Sequence, residues 1–365
     1  MLNNKTIAVV VPAYNEENQI GIVIETMPDF VDRIIIINDM SNDKTEEIVK
    51  SLLNSVHNNT NLKIEGKEII KTFHNDAEVK LQEFNKKEIQ YFPKSEVFNE
   101  NQKNERIILI NNLVNVGVGG SIARGYKWCK DNKIDCTAVM AGDAQMDPDE
   151  LESICSPVIN GGVDYVKGNR LIHGSAGYFI PKTRLIGNAI LSILTKIASG
   201  YWRISDAQTG YTAISLAALN SIKLYDIYKR YGMPNDMLVK LNIAYCTIRE
   251  IPIKPVYRIG EQTKMKLYKV MPGISFLLFK SFFKRLWTKY FLKDFHPLFL
   301  LYNIGFLLGI LDLPLGIKIL KLSVSGNAVN PITLLSFVFF AISSLQSLLF
   351  AMWMDIQDND RLYKS

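Results

Sequence analysis

The sequence predicts an α/β domain with a mostly parallel central sheet, followed by a membrane-associated C-terminal region. Residues 6–11 form a continuous valine-rich run, a helix-like stretch reaches about residue 27, and residues 33–37 form a second apolar run. Such runs are typical of strands buried on both faces, and strand–helix–strand order indicates a parallel sheet with a right-handed crossover. Two further apolar runs, 295–316 and 331–354, approach the ~20 residues that span a bilayer.

The composition favours a membrane surface or phosphate groups as partners. The chain has 365 residues, 48% of them hydrophobic, and a net charge of +6. Its basic residues cluster beside the apolar tail, so we expect no nucleic-acid binding. The four cysteines form neither a Cys-x-x-Cys pair nor a disulfide-like ladder, which indicates a reducing compartment. No signal peptide precedes the first strand, so we expect the bulk of the chain to be cytoplasmic.

Polar side chains follow the short apolar run at 136–140 and are the strongest candidates for chemistry. If the backbone stays extended, Asp143, Gln145 and Asp147 share one face. Oxygen ligands suit Mg²⁺ or Mn²⁺, and magnesium usually takes one or two protein carboxylates while phosphates and water complete its shell. Asp147 is better explained as a helix N-cap, because a proline and then a glutamate follow it. Asp143 and Gln145 are therefore the sharper metal candidates.

The carboxyl ends of the predicted strands carry further polar residues. Ligands of open α/β sheets bind at this edge, where Tyr14, Asn15, Asp39 and Asp143 fall. The dinucleotide fold and the P-loop both require glycines directly after the first strand, and positions 12–17 contain none. Both fingerprints are therefore excluded.

A glycine-rich stretch at 115–125 begins another predicted helix. Gly117, Gly119 and Gly120 would let the backbone approach a phosphate or a sugar closely. A tight turn explains the same glycines about as well, so both interpretations stay open.

Four ordered motifs resemble those of family-2 inverting glycosyltransferases, above all the dolichyl- or polyprenyl-phosphate sugar transferases. They are Pro-Ala-Tyr-Asn-Glu-Glu at 12–17, Asn-Asp-Met-Ser-Asn-Asp at 38–43, the glycine stretch at 115–125 and Gly-Asp-Ala-Gln-Met-Asp-Pro at 142–148. The resemblance covers about residues 5–260 and implies the fold called GT-A. It also implies a nucleotide-diphosphate sugar donor, linked to uracil or guanine, and a divalent cation.

The resemblance assigns roles to individual residues. Those expected to bind the nucleotide sugar are Pro12, Tyr14, Asn15, Glu16, Asp39, Asn115, Gly117, Gly119, Asp143 and Gln145. Those expected at the acceptor phosphate are Asn169, Arg170, Lys182, Arg184 and Gln208. The expected catalytic residues are Asp143, Asp206 and Asp236, and the expected metal ligands are Asp143 and Gln145.

Structural explanations compete with several of these roles. A single arginine such as Arg170 is ordinarily a solvated surface charge, Asp206 is equally well a loop cap, and Asp236 a helix N-cap. The family usually has Asp-x-Asp at its metal site, but Ala141 stands here in place of the first Asp. Either Gln145 and water complete the shell, or metal dependence is weak.

The chain divides into four predicted parts. They are a GT-A domain at 1–260, a juxtamembrane amphipathic helix at 261–294, a two-helix transmembrane hairpin at 295–354 and a cytoplasmic tail at 355–365. Within the first part, residues 57–105 are rich in Asn, Lys and Glu, which indicates a mostly solvated insertion. Short alternating pieces at 68–73 and 88–92 could pair there as a hairpin.

Charge and apolar patterning predict how the C-terminal region meets the membrane. Basic residues at 280, 284, 285, 289 and 293 alternate with aromatic and aliphatic residues, as in a helix lying in the membrane interface. The loop between the apolar runs carries only Lys318 and Lys321. The positive-inside rule therefore places the catalytic domain and both ends of the hairpin in the cytoplasm. A pair of buried core helices is the alternative to two spans.

The sequence thus predicts a membrane-anchored inverting glycosyltransferase that transfers a sugar from a nucleotide diphosphate to polyprenyl phosphate, such as undecaprenyl or dolichyl phosphate. A phosphate acceptor is already anionic and needs positioning, whereas a sugar hydroxyl needs a general base. Two alternatives stay open: transfer to a hydroxyl of a lipid-linked glycan or cell-surface polysaccharide, and a non-catalytic membrane protein that binds nucleotide sugars. Whether the chain forms a homo-oligomer is also open.

Overall fold

Eight strands form the central sheet of the domain. The computed structural model describes residues 1–53, 72–99, 105–174, 182–256 and 267–364, with the backbone alone at 182–186 and 267–269. The strands are β1 (Ile7–Ala13), β2 (Arg33–Asn38), β3 (Ser95–Val97), β4 (Ile107–Asn112), β5 (Cys136–Val139), β6 (Tyr165–Asn169), β7 (Thr212–Ser215) and β8 (Ile248–Pro252). Their order across the sheet is β3-β4-β2-β1-β5-β7-β6-β8.

The predicted α/β class is confirmed, and the sheet is mostly but not purely parallel. β4, β2, β1 and β5 run parallel to one another, as do β6 and β8. β7 runs antiparallel to both β5 and β6, and the short β3 runs antiparallel to β4 at the edge.

Helices cover both faces of the sheet and continue into the C-terminal region. They are α1 (Ile20–Glu25), α2 (Thr45–Leu52), α3 (Asp76–Lys87), α4 (Val118–Asp131), α5 (Leu151–Ile159), α6 (Lys182–Ser199), α7 (Leu216–Ser221), α8 (Met233–Ile243), α9 (Leu267–Trp287), α10 (Pro297–Val324) and α11 (Pro331–Asp360). Short 3₁₀ turns lie at Glu88–Tyr91, Pro148–Glu150 and Leu224–Asp226, and a π-helical turn at Thr288–Lys293.

The apolar runs form strands because the sheet is buried on both faces. Alternate residues of a strand point to opposite sides, so Val10 and Ile35 join one hydrophobic core with residues of α4 and α8. Val9 and Ile34 join a second core with residues of α1, α2 and α5. These two cores hold the strands' carboxyl ends together at one edge.

The polar insertion contributes ordered elements to the domain. It supplies α3 and the edge strand β3, while its residues 57–71 and 100–104 lie outside the described part. Residues 88–91 form a 3₁₀ turn, so the expectation of a strand at 88–92 is wrong. Glu88 in that turn is 1% exposed and accepts a hydrogen bond from Lys130 of α4 at 3.0 Å. The insertion is therefore anchored on α4.

Two residues of the predicted basic stripe, Arg285 and Lys289, do not face outward, whereas Lys280, Lys284 and Lys293 are exposed. Helix α9 packs against α6 and α8, and Arg285 and Lys289 are 0% exposed. Arg285 forms two hydrogen bonds with the Asp355 carboxylate, at 2.7 and 2.8 Å, and donates to Ala198 O at 2.9 Å. The expectation of one outward basic face is thus wrong for Arg285, which binds α6 and α11, and for Lys289 in the π-helical turn, which binds Asn242 of α8 and Asn359 of α11.

The outward face of α9 carries aromatic side chains. Phe276, Phe279 and Trp287 are 70%, 64% and 49% exposed. Lys280 and Lys284 are exposed beside these aromatic side chains, and Lys284 reaches Asp226 at 3.0 Å. The open side of this helix therefore carries both aromatic and basic side chains.

Helices α10 and α11 form an antiparallel hairpin. They have 28 and 30 residues and are long and apolar enough to cross a membrane. Only 28% and 11% of their most apolar windows are buried within the chain, which does not fit a pair of soluble core helices. Gly305 lets the two helices approach, because a Cβ there would lie 2.7 Å from Leu348 Cγ.

The last residues return to the catalytic domain instead of forming a separate tail. Leu362 is 5% exposed and belongs to the core of the domain. Ile248 of β8 donates its N–H to Leu362 O at 2.7 Å and accepts from Lys364 N at 2.8 Å. The end of α11 is thus attached beside β8, and both ends of the hairpin meet the same domain.

Replacing Arg285 by alanine should lower the Tm of the detergent-purified protein by roughly 5–10 °C, because Asp355 would stay buried without its partner. Arg203→Ala is the matched control, since Arg203 pairs with Asp360 at 2.7 Å on the exposed surface. That control should change the Tm by about 1 °C or less. An equal effect of the two variants would contradict the structural role of the buried pair.

Candidate active site

A cleft of about 1140 Å³ lies at the carboxyl ends of β1, β2 and β5. Most residues predicted to bind the nucleotide sugar line it: Pro12, Tyr14, Asn15, Glu16, Asp39, Asn115, Gly117, Asp143 and Gln145. Arg170 and Gln208, predicted at the acceptor phosphate, line it as well. Four predicted residues do not: Gly119, Asn169, Asp206 and Asp236. The side chains of Lys182 and Arg184 lie outside the described residues.

Asp39 forms the floor of the cleft. Its carboxylate accepts hydrogen bonds from Val116 N at 2.9 Å, Gly117 N at 2.8 Å and Asn112 Nδ2 at 2.9 Å. Its side chain is almost fully buried, and its own N–H donates to Ala13 O. Asp39 therefore ties three strand ends to the start of α4, and its carboxylate is largely occupied by these protein donors.

The glycine stretch serves close packing. The N–H groups of Gly119 and Gly120 donate to Lys229 O at 2.9 and 3.2 Å. A Cβ on Gly119 would lie 2.1 Å from Tyr228 O, and one on Gly117 would lie 2.6 Å from Lys229 O. The amides at the start of α4 thus bind protein acceptors. The glycines serve the close approach of two chain segments, and not the approach of the backbone to a phosphate or a sugar.

The motifs at 12–17 and 38–43 are locked to each other. Asn15 adopts a left-handed backbone conformation, with φ 54°, and its N–H donates to Ser41 Oγ at 3.0 Å. In return, Asn42 N donates to Asn15 Oδ1 at 2.9 Å. Glu16 N donates to Thr45 Oγ1 at 2.9 Å. These bonds fix the wall of the cleft between β1 and β2.

The metal motif is a turn and not an extended strand. β5 ends at Val139, Ala144 has φ 57°, and Gln145 N donates to Asp143 Oδ1 at 3.1 Å. The expectation of an extended backbone past residue 140 is therefore wrong, although Asp143 and Gln145 both line the cleft. Asp147 is confirmed as a helix cap, because it accepts from Asp149 N at 3.0 Å.

Few side chains at this turn could bind a metal ion. Within the described ranges, no group of three or more His, Cys, Asp or Glu side chains could hold a metal ion. Asp143 offers a carboxylate and Gln145 an amide oxygen, while Ala141 offers no side-chain ligand. This set fits a magnesium ion that takes most of its shell from substrate phosphates and water.

Arg170 is held in the cleft by Asp206. Its Nε and Nη2 donate to the two carboxylate oxygens of Asp206 at 2.8 and 3.0 Å. Burial alone would raise the pKa of Asp206, but the guanidinium of Arg170 and the ammonium of Lys167 outweigh it and lower that pKa. Asp206 also accepts from Gln208 N at 3.3 Å, as a loop cap does. Asp206 therefore positions Arg170 and does not itself line the cleft.

A buried charged network lies beneath this pair, and sequence reasoning missed most of it. Burial lowers the pKa of Lys167 to about 8 and raises the pKa of Glu250. Glu250 accepts from Ser205 N at 2.9 Å and from Asn169 Nδ2 at 2.8 Å. Asn169 is thus a support for the loop and lies away from the cleft. The one available signal was a charged residue inside each short strand.

Asp236 lies in the first turn of α8 and not at its N-cap, which is Gly232, so the helix-cap interpretation is wrong. It accepts from Tyr228 N at 2.9 Å and pairs with Lys240 Nζ at 2.6 Å. It is 5% exposed and does not line the cleft. The loop that Asp236 holds does reach the cleft. Sequence reasoning missed its lining residues Arg230 and Tyr231, and Met233 at the start of α8.

A protein-family model matches most of the catalytic domain. The model for glycosyl transferase family 2 matches residues 8–72 and 94–223, more than half of the chain. The chain belongs to glycosyl transferase family 2. This glycosyltransferase is an enzyme of the hexosyltransferase class, and the resemblance of its four motifs to that family is confirmed.

Two archaeal relatives match nearly their whole length to this glycosyltransferase. A UDP-N-acetylglucosamine–dolichyl-phosphate N-acetylglucosaminyltransferase of Methanococcus voltae is 29% identical over 287 residues, 78% of this chain and 97% of that protein. An uncharacterized protein of Methanocaldococcus jannaschii is 25% identical over 80% of this chain and 95% of that protein.

A solved structure resembles the domain more distantly. Glucosyl-3-phosphoglycerate synthase from Mycobacterium tuberculosis, in complex with Mn²⁺, UDP and glucosyl-3-phosphoglycerate, is 15% identical with a TM-score of 0.46. The match covers 77% of this chain and 80% of that chain.

Adding one methyl group at Gly119 should disrupt the glycosyltransferase. Gly119→Ala places a Cβ against Tyr228 O, and we expect the Tm to fall by roughly 5 °C or more, with weaker nucleotide binding. Gly162→Ala is the matched control, because a Cβ on Gly162 would lie 3.8 Å from its nearest neighbour, Pro157 O. Thermal unfolding of both variants measures the difference, and a wild-type Tm for Gly119→Ala would contradict the close approach.

Proposed function

We propose that this glycosyltransferase is anchored in a membrane and transfers a sugar, with inversion, from a nucleotide diphosphate to a polyprenyl phosphate. The relative from Methanococcus voltae supports the acceptor class, since its name specifies a dolichyl phosphate. The mixed sheet with a cleft at its strand ends supports the GT-A assignment. The two long apolar helices support the anchor.

The choice of a phosphate acceptor rests on the ion pairs of Asp206 and Asp236. A sugar hydroxyl must lose a proton to attack, so it needs a general base within hydrogen-bond reach. Both carboxylates that the resemblance suggests are nearly buried and lie in ion pairs, one with Arg170 and the other with Lys240. A phosphate acceptor needs no base, because positioning and charge neutralisation suffice.

In the proposed reaction, an oxygen of the lipid phosphate attacks the anomeric carbon of the donor sugar. The bond from that carbon to the nucleotide diphosphate breaks on the opposite face, which inverts the configuration. Asp143 and Gln145 would hold the divalent cation, Mg²⁺ or Mn²⁺, which supplies charge neutralisation for the leaving diphosphate. Arg170, kept in place by Asp206, lies in the same cleft and suits a phosphate group geometrically.

The membrane arrangement follows from the open faces of the C-terminal helices. The cleft extends to Val270 and Ile274 of α9, whose outward aromatic face would lie in the membrane interface. The lipid phosphate could then reach the cleft while its chain stays in the bilayer. The return of the chain end to the domain supports a hairpin with both ends on one side of the membrane. The basic residues before the first span support the cytoplasm as that side.

Transfer of radiolabelled sugar by detergent-purified protein tests the proposal. A panel of UDP- and GDP-sugars would be offered with undecaprenyl or dolichyl phosphate, with magnesium, manganese or chelator. We expect a mild-acid-labile lipid product from one donor, and a loss of about a hundred-fold or more in rate for Asp143→Ala. Donor binding without any lipid product would overturn the phosphate acceptor and favour a glycan acceptor or the non-catalytic alternative.

The role of Asp236 gives a second test of the acceptor. Asp236→Asn keeps an oxygen that accepts from Tyr228 N but loses the charge that pairs with Lys240. With a phosphate acceptor, we expect kcat to fall by less than about ten-fold, since no base is removed. Loss of a general base would lower it by roughly 10²–10⁴-fold. Steady-state kinetics would separate these outcomes, and the larger loss at an unchanged Tm would favour a hydroxyl acceptor.

A further inference from the structure

The short loop that precedes α8 is fixed tightly against the glycine stretch. Tyr228 N donates to Asp236 Oδ2 at 2.9 Å, and Lys229 O accepts from Gly119 N at 2.9 Å. One residue on, Arg230 O accepts from Met233 N at 3.0 Å. The backbone of this loop is therefore held at three successive residues, which gives the side chain of Arg230 a defined origin.

The Arg230 side chain starts at the floor of the cleft. A Cβ on Gly117 would lie 3.4 Å from Arg230 Cγ, so the side chain passes directly over that glycine. Gly117 in turn donates its N–H to Asp39. Arg230 lines the cleft and is exposed, as is its neighbour Tyr231. The Arg230 side chain therefore borders the space that a ligand of the cleft would occupy.

Arg230 differs from the other arginine of the cleft. Arg170 has two of its nitrogens bound to Asp206. In the parts of the chain that the structure covers, the Arg230 guanidinium makes neither a hydrogen bond nor an ion pair. An arginine that binds no protein acceptor keeps its whole planar fork available, and this fork matches the oxygen geometry of a phosphate.

Among the described residues that line the cleft, only Arg170 and Arg230 carry positive charge. Glu16, Asp39 and Asp143 contribute carboxylates to its lining. The amides of Val116, Gly117, Gly119 and Gly120 at the start of α4 donate to protein oxygens. A diphosphate beside these carboxylates would meet repulsion, and a cation held by Asp143 and Gln145 alone offsets only part of it.

We propose that Arg230 binds a phosphate group of a substrate in this cleft. The inference rests on the proposed function, because both substrates named there carry phosphate: the nucleotide diphosphate of the donor and the phosphate monoester of the acceptor lipid. The guanidinium forms charge-assisted hydrogen bonds with the phosphate oxygens. It thereby partly compensates for the missing carboxylate at Ala141, since less of the phosphate charge depends on the metal ion.

Calorimetric binding to the full-length protein in detergent tests this role without turnover. The probes are UDP and GDP for the donor, with uridine and guanosine as their phosphate-free counterparts, and farnesyl phosphate for the acceptor, with farnesol as its counterpart. We expect Arg230→Ala to lower the affinity for either the diphosphates or farnesyl phosphate by about 10- to 100-fold. The phosphate-free probes should bind within about two-fold of wild type, and the probe that loses affinity identifies the phosphate concerned.

Two further variants separate phosphate binding from a general effect. Arg230→Lys keeps the charge and loses the fork, so its affinity should lie between those of Arg230→Ala and wild type. Arg203→Ala removes an exposed arginine outside the cleft and should leave all affinities unchanged. The Tm of Arg230→Ala should equal that of wild type, because only backbone atoms of the loop bind its neighbours.

The outcomes distinguish this inference from the proposed function. Wild-type affinity of Arg230→Ala for UDP, GDP and farnesyl phosphate would overturn the role of Arg230, whatever the transfer assay shows. If the wild-type protein forms no lipid product but loses diphosphate affinity in Arg230→Ala, the acceptor assignment fails and the role of Arg230 stands. Wild-type protein that binds none of the phosphate probes would overturn both.

Discussion

The buried carboxylate of Asp39 is the interaction on which the site depends. It accepts hydrogen bonds from two backbone amides at the start of α4 and from Asn112 at the end of β4, while its own N–H binds β1. An unsatisfied buried amide costs about 1–3 kcal/mol, so one carboxylate stabilises several groups at once. Because these groups come from separate segments, Asp39 sets the position of the cleft floor.

A second buried charge organises the molecule below the site. Arg285 joins α9 to Asp355 of α11 and to carbonyl groups at the end of α6. Buried ion pairs add little net stability, but breaking one is strongly unfavourable, so they define which packing is allowed. The buried pair therefore helps to define how the hairpin packs against the catalytic domain, with Phe276, Phe279 and Trp287 of α9 directed outward.

The distribution of charge decides what the cleft is suited for. Asp206 forms an ion pair with an arginine and Asp236 with a lysine. At position 141, alanine replaces an acidic metal ligand. These features together suit anionic substrates that bring their own oxygen ligands and need no deprotonation. A hydroxyl acceptor would need a base that neither of these two carboxylates supplies.

The sequence alone determined the buried strands β1, β2 and β5, the cleft edge, the family and the apolar hairpin, because apolar runs and motif order depend on local sequence. It placed Tyr14, Asn15, Asp39, Asp143 and Gln145 at one edge, where the structure has them. Only the tertiary structure gave Asp206, Asp236 and Arg285 their ion-pair partners and placed Arg230 at the cleft. The sequence does not distinguish a carboxylate or an arginine that contacts a substrate from one that contacts a buried partner, because that partner comes from a distant segment. The same holds for the glycines, whose close neighbour is a loop about a hundred residues away.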